Sequence, residues 1–357
     1  MKKIFDKCVC SKCAGTSLGR YIDLYGEKDI CDYCGKDFNP IMTIDVILPR
    51  LFKSWTLYYS NFEDSYFPDD FRTPYYLSDI VNDEDSELYD AKPEFINDLC
   101  QLPDDHTWQK DSEYWSSFSN AMKSSWELFS KIVKTKWRYT YFLCGNDELD
   151  PAMYSPLEVM RKVCELIQTD NSLIYELPAR TSLYRTRFSD DKFKICAKEL
   201  GSAPPEYSES NRFSPKGISM FYGSFDKEIC KIEAANNNRK NSITCKFLNT
   251  NPLKILDLTN IPSIPKLYDE NFNLIPALTF LHYFSKEISK PANEDELNYI
   301  PTQVFTEFIR FQNLNIKGVK YNSSKKKNGK NIVLFYKNDE CKDEDDGSDC
   351  LVLDGII

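Results

Sequence analysis

Two pairs of cysteines near the start of the chain constrain its fold more than any other feature. Each pair has two residues between its cysteines, Cys10 with Cys13 and Cys31 with Cys34, and 17 residues separate the pairs. Turns of this form each offer two thiolates to one tetrahedral ion, and four thiolates close its coordination shell. The sequence therefore predicts a structural Zn²⁺ site that holds together a piece too small to fold alone.

Two neighbouring residues bear on this prediction. Gly35 directly follows the second pair, where such a turn needs a residue that adopts a positive φ so that backbone amides face the sulfurs. Cys8 is an alternative ligand, but one residue separates it from Cys10, so its bite is tighter and we leave it out of the predicted set. The alternative that all of these cysteines are incidental thiols stays open.

Size and charge limit the classes of protein that fit. The 357 residues suffice for two or three domains, and no apolar run approaches the roughly 20 residues of a bilayer crossing. No apolar stretch of signal-peptide length follows the basic start, so we expect a cytoplasmic protein whose 13 cysteines are metal ligands or buried thiols. A net charge of −10 makes nucleic acid a poor partner.

The chain reads as an α+β protein in three parts: a four-cysteine zinc ribbon or knuckle at 1–40, a mainly helical region at 41–171, and a mixed α/β domain at 172–357. In the middle part, Ser155, Pro156 and Glu158 predict the start of a helix over 156–168. The acidic residues 83–90 predict a mobile loop. Apolar residues three or four apart predict a buried helical stripe within 113–139: Trp115, Phe118, Met122, Trp126, Phe129 and Ile132.

In the last part, strand-like and helical runs alternate. Six runs predict strands: 183–187, 218–222, 243–248, 253–258, 318–321 and 332–336. Two further runs, 225–235 and 302–312, predict helices, and the acidic residues after 341 predict a loop before a short terminal strand at 351–357. The lysines at 325–327 and Lys330 lie in an Asn/Ser/Gly-rich stretch typical of a solvated loop. The order of the strands is left open.

Charged side chains in this part lie where apolar residues are expected. Glu233 falls on the apolar face of the helix predicted at 225–235, where an unpaired carboxylate is costly. Arg185 and Arg187 alternate along a strand, which puts both guanidiniums on one face, suited to gripping a phosphate. Two interpretations remain open from the residues alone: a structural buried ion pair between one of these arginines and Glu233, or a site for an anionic ligand.

The ordered set of motifs resembles the RES domain family, named for an Arg, a Glu and a Ser. Tyr184-Arg185 is similar to its first strand and 212–217 to its Arg-aromatic-x-x-x-Gly turn, followed by Tyr222, by Glu233 on a helix, and by Tyr321-Asn322-Ser323. The run 331–335 resembles the family's closing strand, so the resemblance covers about 172–337. This chain departs from many members at Ser214, and the doublet Ser323-Ser324 leaves two registers for the serine, of which we choose Ser323.

The resemblance implies a fold like that of ADP-ribosyltransferases and an enzyme that consumes NAD⁺ as a substrate by breaking its nicotinamide–ribose bond. In such a site Glu233 stabilises the positive charge that develops on the ribose, and Arg185 with Arg212 holds the pyrophosphate. Tyr184 and Tyr222 stack on the nicotinamide or ribose, while Ser323 fixes a ribose hydroxyl or the carboxamide. The resemblance thus predicts a catalytic set of Arg185, Glu233 and Ser323, with Tyr184, Arg212 and Tyr222 binding the substrate.

The N-terminal part is similar to the domain often found ahead of RES domains and grouped with HEPN proteins. HEPN ribonucleases use an Arg-x-x-x-x-His motif, which neither His106 nor His282 completes, so we do not predict RNA cleavage. We expect His106 at the surface and His282 as a partly buried packing residue.

The resemblance favours a toxin or bacterial defence effector that degrades NAD⁺, with the N-terminal region binding a trigger or an antitoxin. The alternatives are a protein ADP-ribosyltransferase and a non-catalytic zinc-ribbon adaptor with a degenerate RES domain. Assembly into a homo-oligomer and the acceptor of the ADP-ribose (water, phosphate or protein) are left open.

Overall fold

The structure is a computed structural model that describes residues 2–37, 39–61, 74–104, 107–110, 118–143, 155–234, 241–290, 296–312 and 314–357. The described residues of Met1–Met122 and Ser263–Pro276 form one unit, and those of Lys123–Glu148, Tyr154–Pro262 and Ala277–Ile357 form a second. The fold is mixed α+β, as predicted, while the division at residues 40 and 171 stays a prediction. Within the described ranges, no helix combines the length and the apolar character needed to cross a membrane.

The first unit begins with a small antiparallel sheet around the cysteine turns. Strand β1 (Cys8–Cys10) is followed by helix α1 (Thr16–Tyr25), strand β2 (Glu27–Asp29) and strand β3 (Asn39–Thr43). β3 lies between β1 and β2 and is antiparallel to both. The buried side chains of α1, Leu18 and Ile22, join the core of this unit, which gives the short sheet an apolar layer to pack on.

The rest of the first unit packs around large aromatic side chains. Its elements are α2 (Ile44–Trp55), β4 (Tyr59–Asn61), α3 (Leu77–Asn82), α4 (Pro93–Cys100) and β5 (Trp108–Lys110), with β4 and β5 antiparallel. Trp55, Phe95 and Tyr268 are fully buried in this core. The indole Nε1 of Trp55 donates to the Tyr268 hydroxyl over 3.1 Å, which satisfies a polar group that the core would otherwise leave unpaired.

The acidic residues 83–90 form ordered structure, so the mobile loop predicted there is wrong. Asp83 caps a short 3₁₀ helix, Glu84–Ser86, by accepting from the amide of Asp85. The ammonium of Lys110 lies 2.6 Å from Asp83 and 2.9 Å from Asp85, so a cation from β5 balances the local charge. Leu88 is buried in the core and anchors the segment. The sequence could not show this arrangement because the pairing cation is 27 positions away from Asp83.

Two helices open the second unit. Helix α5 (Phe118–Thr135) buries Trp126, Phe129 and Ile132, which confirms the described part of the predicted stripe. Trp115 and the side chains of Phe118 and Met122 lie outside the described residues. Helix α6 (Pro156–Thr169) starts as predicted, since Ser155 and Glu158 each accept a hydrogen bond from the other's amide.

A nine-stranded mixed sheet fills the remainder of the second unit. The elements are, in chain order, β6 (Ile174–Leu177), β7 (Ser182–Ser189), α7 (Ala197–Leu200), β8 (Phe221–Ser224), α8 (Lys227–Ala234), β9 (Asn241–Asn249), β10 (Leu253–Asp257), α9 (Ile275–Ile288), α10 (Ile300–Phe311), β11 (Ile316–Asn322), β12 (Lys330–Leu334), β13 (Cys341–Lys342) and β14 (Leu351–Ile356). The order of the strands in the sheet is β13-β14-β9-β7-β8-β12-β11-β10-β6, with β10–β11 and β13–β14 parallel and the other neighbours antiparallel.

Five of the six predicted strands coincide with observed ones, and the sixth is displaced. The strand predicted at 218–222 begins only at Phe221, because its first residues are bound by the preceding loop instead of a neighbouring strand. The Ser208 hydroxyl donates to the carbonyl of Ile218, and the Ser219 hydroxyl donates to that of Ala203.

Two helices described in this unit, the short α7 and the longer α9, were not predicted. His282 on α9 is partly buried, as expected, and its Nε2 lies 2.7 Å from the carbonyl of Pro262. His106 lies outside the described residues, so its expected place at the surface stays a prediction.

Candidate active site and metal centre

The four predicted cysteine ligands come together in the first unit. The sulfurs of Cys10, Cys13, Cys31 and Cys34 all lie within 4.8 Å of one another. The sulfurs of Cys10 and Cys34 are 3.8 Å apart, which is about the edge of a tetrahedron with metal–sulfur distances of ~2.3 Å. The arrangement therefore fits a tetrahedral ion held by four thiolates. Cys8 is not among these residues, and its amide donates to Asp32 over 2.7 Å.

Backbone geometry around the cysteines suits metal-bound thiolates. Gly35 has a φ of +66°, as predicted, and the amide of Cys10 donates to the sulfur of Cys31 over 3.3 Å. The amide of Lys36 lowers the pKa of the Cys34 thiol to about 7, whereas burial raises the pKa of Cys31. These amides favour the thiolate form that a metal ion requires.

The second cysteine turn is also tied to α4. Asp98 on that helix accepts from the Tyr33 hydroxyl over 2.7 Å and pairs with Lys7. The turn that carries Cys31 and Cys34 is thus connected to the core helices of the first unit as well as to the short sheet.

In the second unit, the candidate active site lies where two central strands diverge. Within the described residues, β7 and β8 are paired at one position, Tyr184 opposite Ser224. By contrast, all eight residues of β7 are paired with β9. Gly223 favours this close crossing, because a Cβ there would lie 3.0 Å from the carbonyl oxygen of Tyr184. Beyond the crossing, the described residues of β7 and β8 form no further backbone pair, and Arg185 is the next residue of β7 after Tyr184.

The side chain of Arg185 reaches from β7 to the backbone of β8. Its Nη1 donates to the carbonyl of Tyr222 over 2.7 Å, and its guanidinium carbon lies 5.5 Å from the centre of the Phe221 ring. Burial lowers the pKa of Arg185 below its usual value, with the nearby Cys245 thiol opposing the shift. The Nε atom is buried and has no hydrogen-bond partner among the described residues. An unpaired buried donor of this kind costs roughly 1–3 kcal/mol.

The alternative of a buried ion pair with Glu233 is not what the structure contains. Arg187 donates through Nε to the carbonyl of Glu199 over 3.1 Å, and burial, followed by repulsion from Arg185, lowers its pKa to about 10. Among the described ion pairs, neither arginine binds Glu233. Each charged group is instead held by uncharged partners, and the interpretation as an anionic-ligand site stays a prediction.

Glu233 lies near the end of α8, whose start is fixed by Asp226. The carboxylate of Asp226 accepts from the amides of Glu228 and Ile229 and so caps the helix. At the other end of the helix, Oε1 of Glu233 accepts from the Ser323 hydroxyl and from the Nδ2 of Asn331, the latter over 3.0 Å. Its Oε2 accepts no hydrogen bond from the residues that the structure describes.

Ser323 connects Glu233 to the lysine-containing loop between β11 and β12. Its hydroxyl donates to Glu233 and accepts from the amides of Lys325 and Lys326 over 3.2 and 3.0 Å, which uses its hydrogen-bonding capacity fully. Lys325 is exposed, as expected of this loop, but its ammonium also donates to the carbonyls of Ile232 and Glu233 at the end of α8. The loop therefore fixes both the carboxylate and the helix that carries it.

The turn at 211–217 is held from two sides. The Tyr222 hydroxyl contacts the amide of Phe213 over 3.2 Å and the Ser214 hydroxyl over 2.9 Å, and burial raises its pKa to about 12. From α10, Gln303 donates to the carbonyls of Asn211 and Ser214.

Two residues of the site, Gln303 and Asn331, were missed by the sequence analysis. Their only sequence signal is a polar residue within or beside a buried apolar run. Such residues are common in folded chains, so the signal by itself does not single them out.

Arg212, in the turn at 211–217, lines a cavity of about 600 Å³ between α5, α9 and α10. Its Nη2 donates to the carbonyl of Lys290 over 2.7 Å, and the cavity wall also includes Lys131 and Lys134. Tyr321 packs against Phe213 in the turn that carries Arg212, with the two ring centroids 4.9 Å apart.

Four of the predicted site residues form two contacting pairs in the structure. It brings Arg185 into direct contact with Tyr222, and Glu233 into direct contact with Ser323. Tyr184 lies at the strand crossing beside Arg185, and Arg212 lies on the turn that Tyr222 holds.

Comparison with known proteins identifies both parts of the chain. The family model described as the RES domain matches residues 182–350, and the model described as HEPN/RES N-terminal domain 1 matches residues 25–147. No curated protein matches the chain. The first match spans the diverging strands, Glu233, Ser323 and the turn at 211–217, and the two matches together account for most of the sequence. The chain is therefore a RES-domain protein with a HEPN/RES N-terminal domain ahead of its RES domain.

Proposed function

We propose that the chain is a toxin or defence effector that degrades NAD⁺ by cleaving the bond between nicotinamide and ribose. The RES family supports an NAD-related, toxin-like function. The observation that carries the specific reaction is the carboxylate of Glu233, which two donors hold by Oε1, while Oε2 has no donor among the described residues and is left for a ligand. A carboxylate fixed in this way needs no reorganisation when positive charge develops beside it.

In the proposed reaction, the bond from the ribose C1′ to the ring nitrogen breaks and nicotinamide leaves with the bonding electron pair. The ribose acquires oxocarbenium character, and Oε2 of Glu233 stabilises that charge or accepts from a ribose hydroxyl. The acceptor then adds to C1′ and loses its proton. Ser323 acts in this scheme through Glu233, because its hydroxyl is already fully engaged. The role first expected for it, binding a ribose hydroxyl or the carboxamide, would require that network to open.

The arginines supply the positive charge that a pyrophosphate needs. Arg185 uses one N–H for the Tyr222 carbonyl and keeps a buried Nε without a partner in the described part of the chain, and Arg212 uses Nη2 for the Lys290 carbonyl. Each guanidinium has five N–H donors, so both retain donors for phosphate oxygens.

The two tyrosines supply aromatic surface for the dinucleotide. Tyr184 lies at the strand crossing, where its ring is the group that stacks on the bound substrate. Tyr222 contributes its ring face, since its hydroxyl holds the turn at 211–217.

We also propose that Zn²⁺ is the ion held by Cys10, Cys13, Cys31 and Cys34 and that it is structural. The four thiolates complete a tetrahedral shell, which leaves no position for water or substrate. The metal would fix the turn that carries Tyr33 and hence the contact with Asp98 on α4. A cytoplasmic location, which keeps these thiols reduced, and a trigger or antitoxin bound by the first unit belong to the same proposal.

The test is NAD⁺ loss and nicotinamide release by the purified full chain, compared with Glu233→Ala and Arg185→Ala variants whose folding is checked by circular dichroism. We expect the parent to release nicotinamide and both folded variants to lose at least about 100-fold in kcat/KM. Product analysis then separates free ADP-ribose, a phosphorylated product and labelled protein. A parent that stays inert with NAD⁺ while the chain is folded and loaded with metal would contradict the proposal.

A further inference from the structure

Asn331 is the one residue besides Ser323 that donates to the carboxylate of Glu233 within the described part of the chain. It is the second residue of β12, 6% exposed, and its Nδ2 donates to Oε1 over 3.0 Å. In this bond the amide nitrogen of Asn331 donates and the carboxylate oxygen of Glu233 accepts. The sequence analysis noted this residue only as the start of the run 331–335 and gave it no role in the site.

The position of Asn331 in the sheet explains how it reaches Glu233. It pairs with Tyr321 of β11 on one side and with Ser224 of β8 on the other. Side chains alternate between the two faces of a strand, so its neighbour Ile332 points to the opposite face and is fully buried in the apolar core there. Asn331 is thus a polar side chain on a central strand, on the face that Glu233 occupies.

We infer that Asn331 is a positioning residue for the proposed reaction, which turns the Glu233 carboxylate so that Oε2 faces the substrate. Two donors on the same oxygen, from β12 and from the loop that follows β11, fix both the place and the rotation of the carboxylate. One donor alone would leave the group free to rotate and to offer either oxygen. This inference rests on the proposed function, because the direction of Oε2 matters only if that oxygen meets a substrate.

The isosteric substitution Asn331→Asp separates positioning from packing. It keeps the shape of the side chain but replaces the donor with a second carboxylate facing Glu233. Two carboxylates at this distance cannot both ionise freely, so they share a proton and the folded chain holds that proton more tightly than the unfolded chain does. Stability is then full at low pH and is lost as the pH rises through the raised folded-state pKa of the pair.

The first measurement is thermal unfolding of the full chain between pH 5 and pH 8. We expect Asn331→Asp to lose melting temperature at pH 8 and to regain it at pH 5, relative to the parent. The matched control is Asn322→Asp, which adds the same charge on the neighbouring strand β11, where Asn322 pairs with Lys330. Adding Glu233→Gln to Asn331→Asp restores a hydrogen bond in which the amide on α8 donates and the carboxylate on β12 accepts. The double variant should therefore lose the added pH dependence of the melting temperature.

The second measurement is the kinetics of nicotinamide release. We expect Asn331→Asp to lower kcat by about 10-fold or more at pH 8 while KM for NAD⁺ changes less than about 3-fold, and to shift the optimum to lower pH. If the parent is active and Asn331→Asp matches Asn322→Asp in both kcat and melting behaviour, the positioning role is wrong and the proposed function stands. An inert parent overturns the proposed function and with it the positioning role.

Discussion

Replacing Ser323 with alanine removes the hydroxyl that donates to the Glu233 carboxylate. The substitution leaves Asn331 as the remaining donor to Oε1 and deprives the amides of Lys325 and Lys326 of their acceptor. Both lysines are exposed, so water can replace the hydroxyl at their amides and the loss of stability should stay near or below about 1 kcal/mol. The effect on the site is larger, because the lost bond is to a charged group.

A hydrogen bond to a charged group contributes roughly 1.5–3 kcal/mol. If that contribution is expressed fully in the transition state, kcat falls by a factor of about 10 to 150. The assay is nicotinamide release by the purified chain at saturating NAD⁺. The matched control is Ser324→Ala, because the neighbouring serine has the same chemistry in the other register of the motif and no hydrogen bond from it to Glu233 is described.

We expect Ser324→Ala to stay within about 2-fold of the parent. The reasoning is refuted if Ser324→Ala loses activity while Ser323→Ala keeps it, because the serine would then act in the other register. Equal losses in both variants would show that the loop as a whole matters and that the hydroxyl bonded to Glu233 has no particular role.

Three further predictions, two of them with a control substitution, test other parts of the structure. Cys31→Ser should lower the bound zinc below one ion per chain, as measured by native mass spectrometry, and should lower the melting temperature. The control Cys8→Ser should keep the ion. Burial raises the pKa of Tyr222 to about 12. Its contribution to the free energy of unfolding is therefore full below pH ~10 and falls by at most about 2.5 kcal/mol as the pH rises to ~12. In chemical unfolding over this pH range, Tyr222→Phe should lose less stability than the parent. Arg185→Lys should raise KM for NAD⁺ about 10-fold or more, because one ammonium cannot bind both the Tyr222 carbonyl and a phosphate. The control Arg187→Lys should change KM less.

The sequence predicted the elements whose signals are local. The cap of α6, the turn at Gly35 and five of the strands depend on residues a few positions apart, and the structure has them as predicted. Helix α9 was missed because its sequence is apolar on most sides, so it has little of the contrast that marks an amphipathic helix. The acidic segment at 83–90 was misread because its balancing cation, Lys110, lies on another element.

The sequence proposed members for the candidate site but could not show the contacts between them. Family resemblance supplied Arg185, Glu233 and Ser323, but the direct bond from Ser323 to Glu233 joins residues 90 positions apart. Gln303 belongs to no motif, and Asn331 was noted only as the first residue of the run that resembles the family's closing strand. A polar residue near an apolar run is common, and only the fold shows which groups it contacts. The crossing of β7 and β8 at one residue pair is likewise a property of the assembled sheet.

The separation of the two charged groups is the strongest structural reason to regard this region as a binding site. Burying a charge is costly, and the usual remedy is a direct ion pair. Here Arg185 is held by a backbone carbonyl and Glu233 by a hydroxyl and an amide, so each has a fixed orientation and one polar atom without a partner among the described residues. A direct pair would have used the polar atoms of both groups. In the reaction that we propose, Arg185 meets a phosphate, and Glu233 meets the sugar that becomes cationic when nicotinamide leaves.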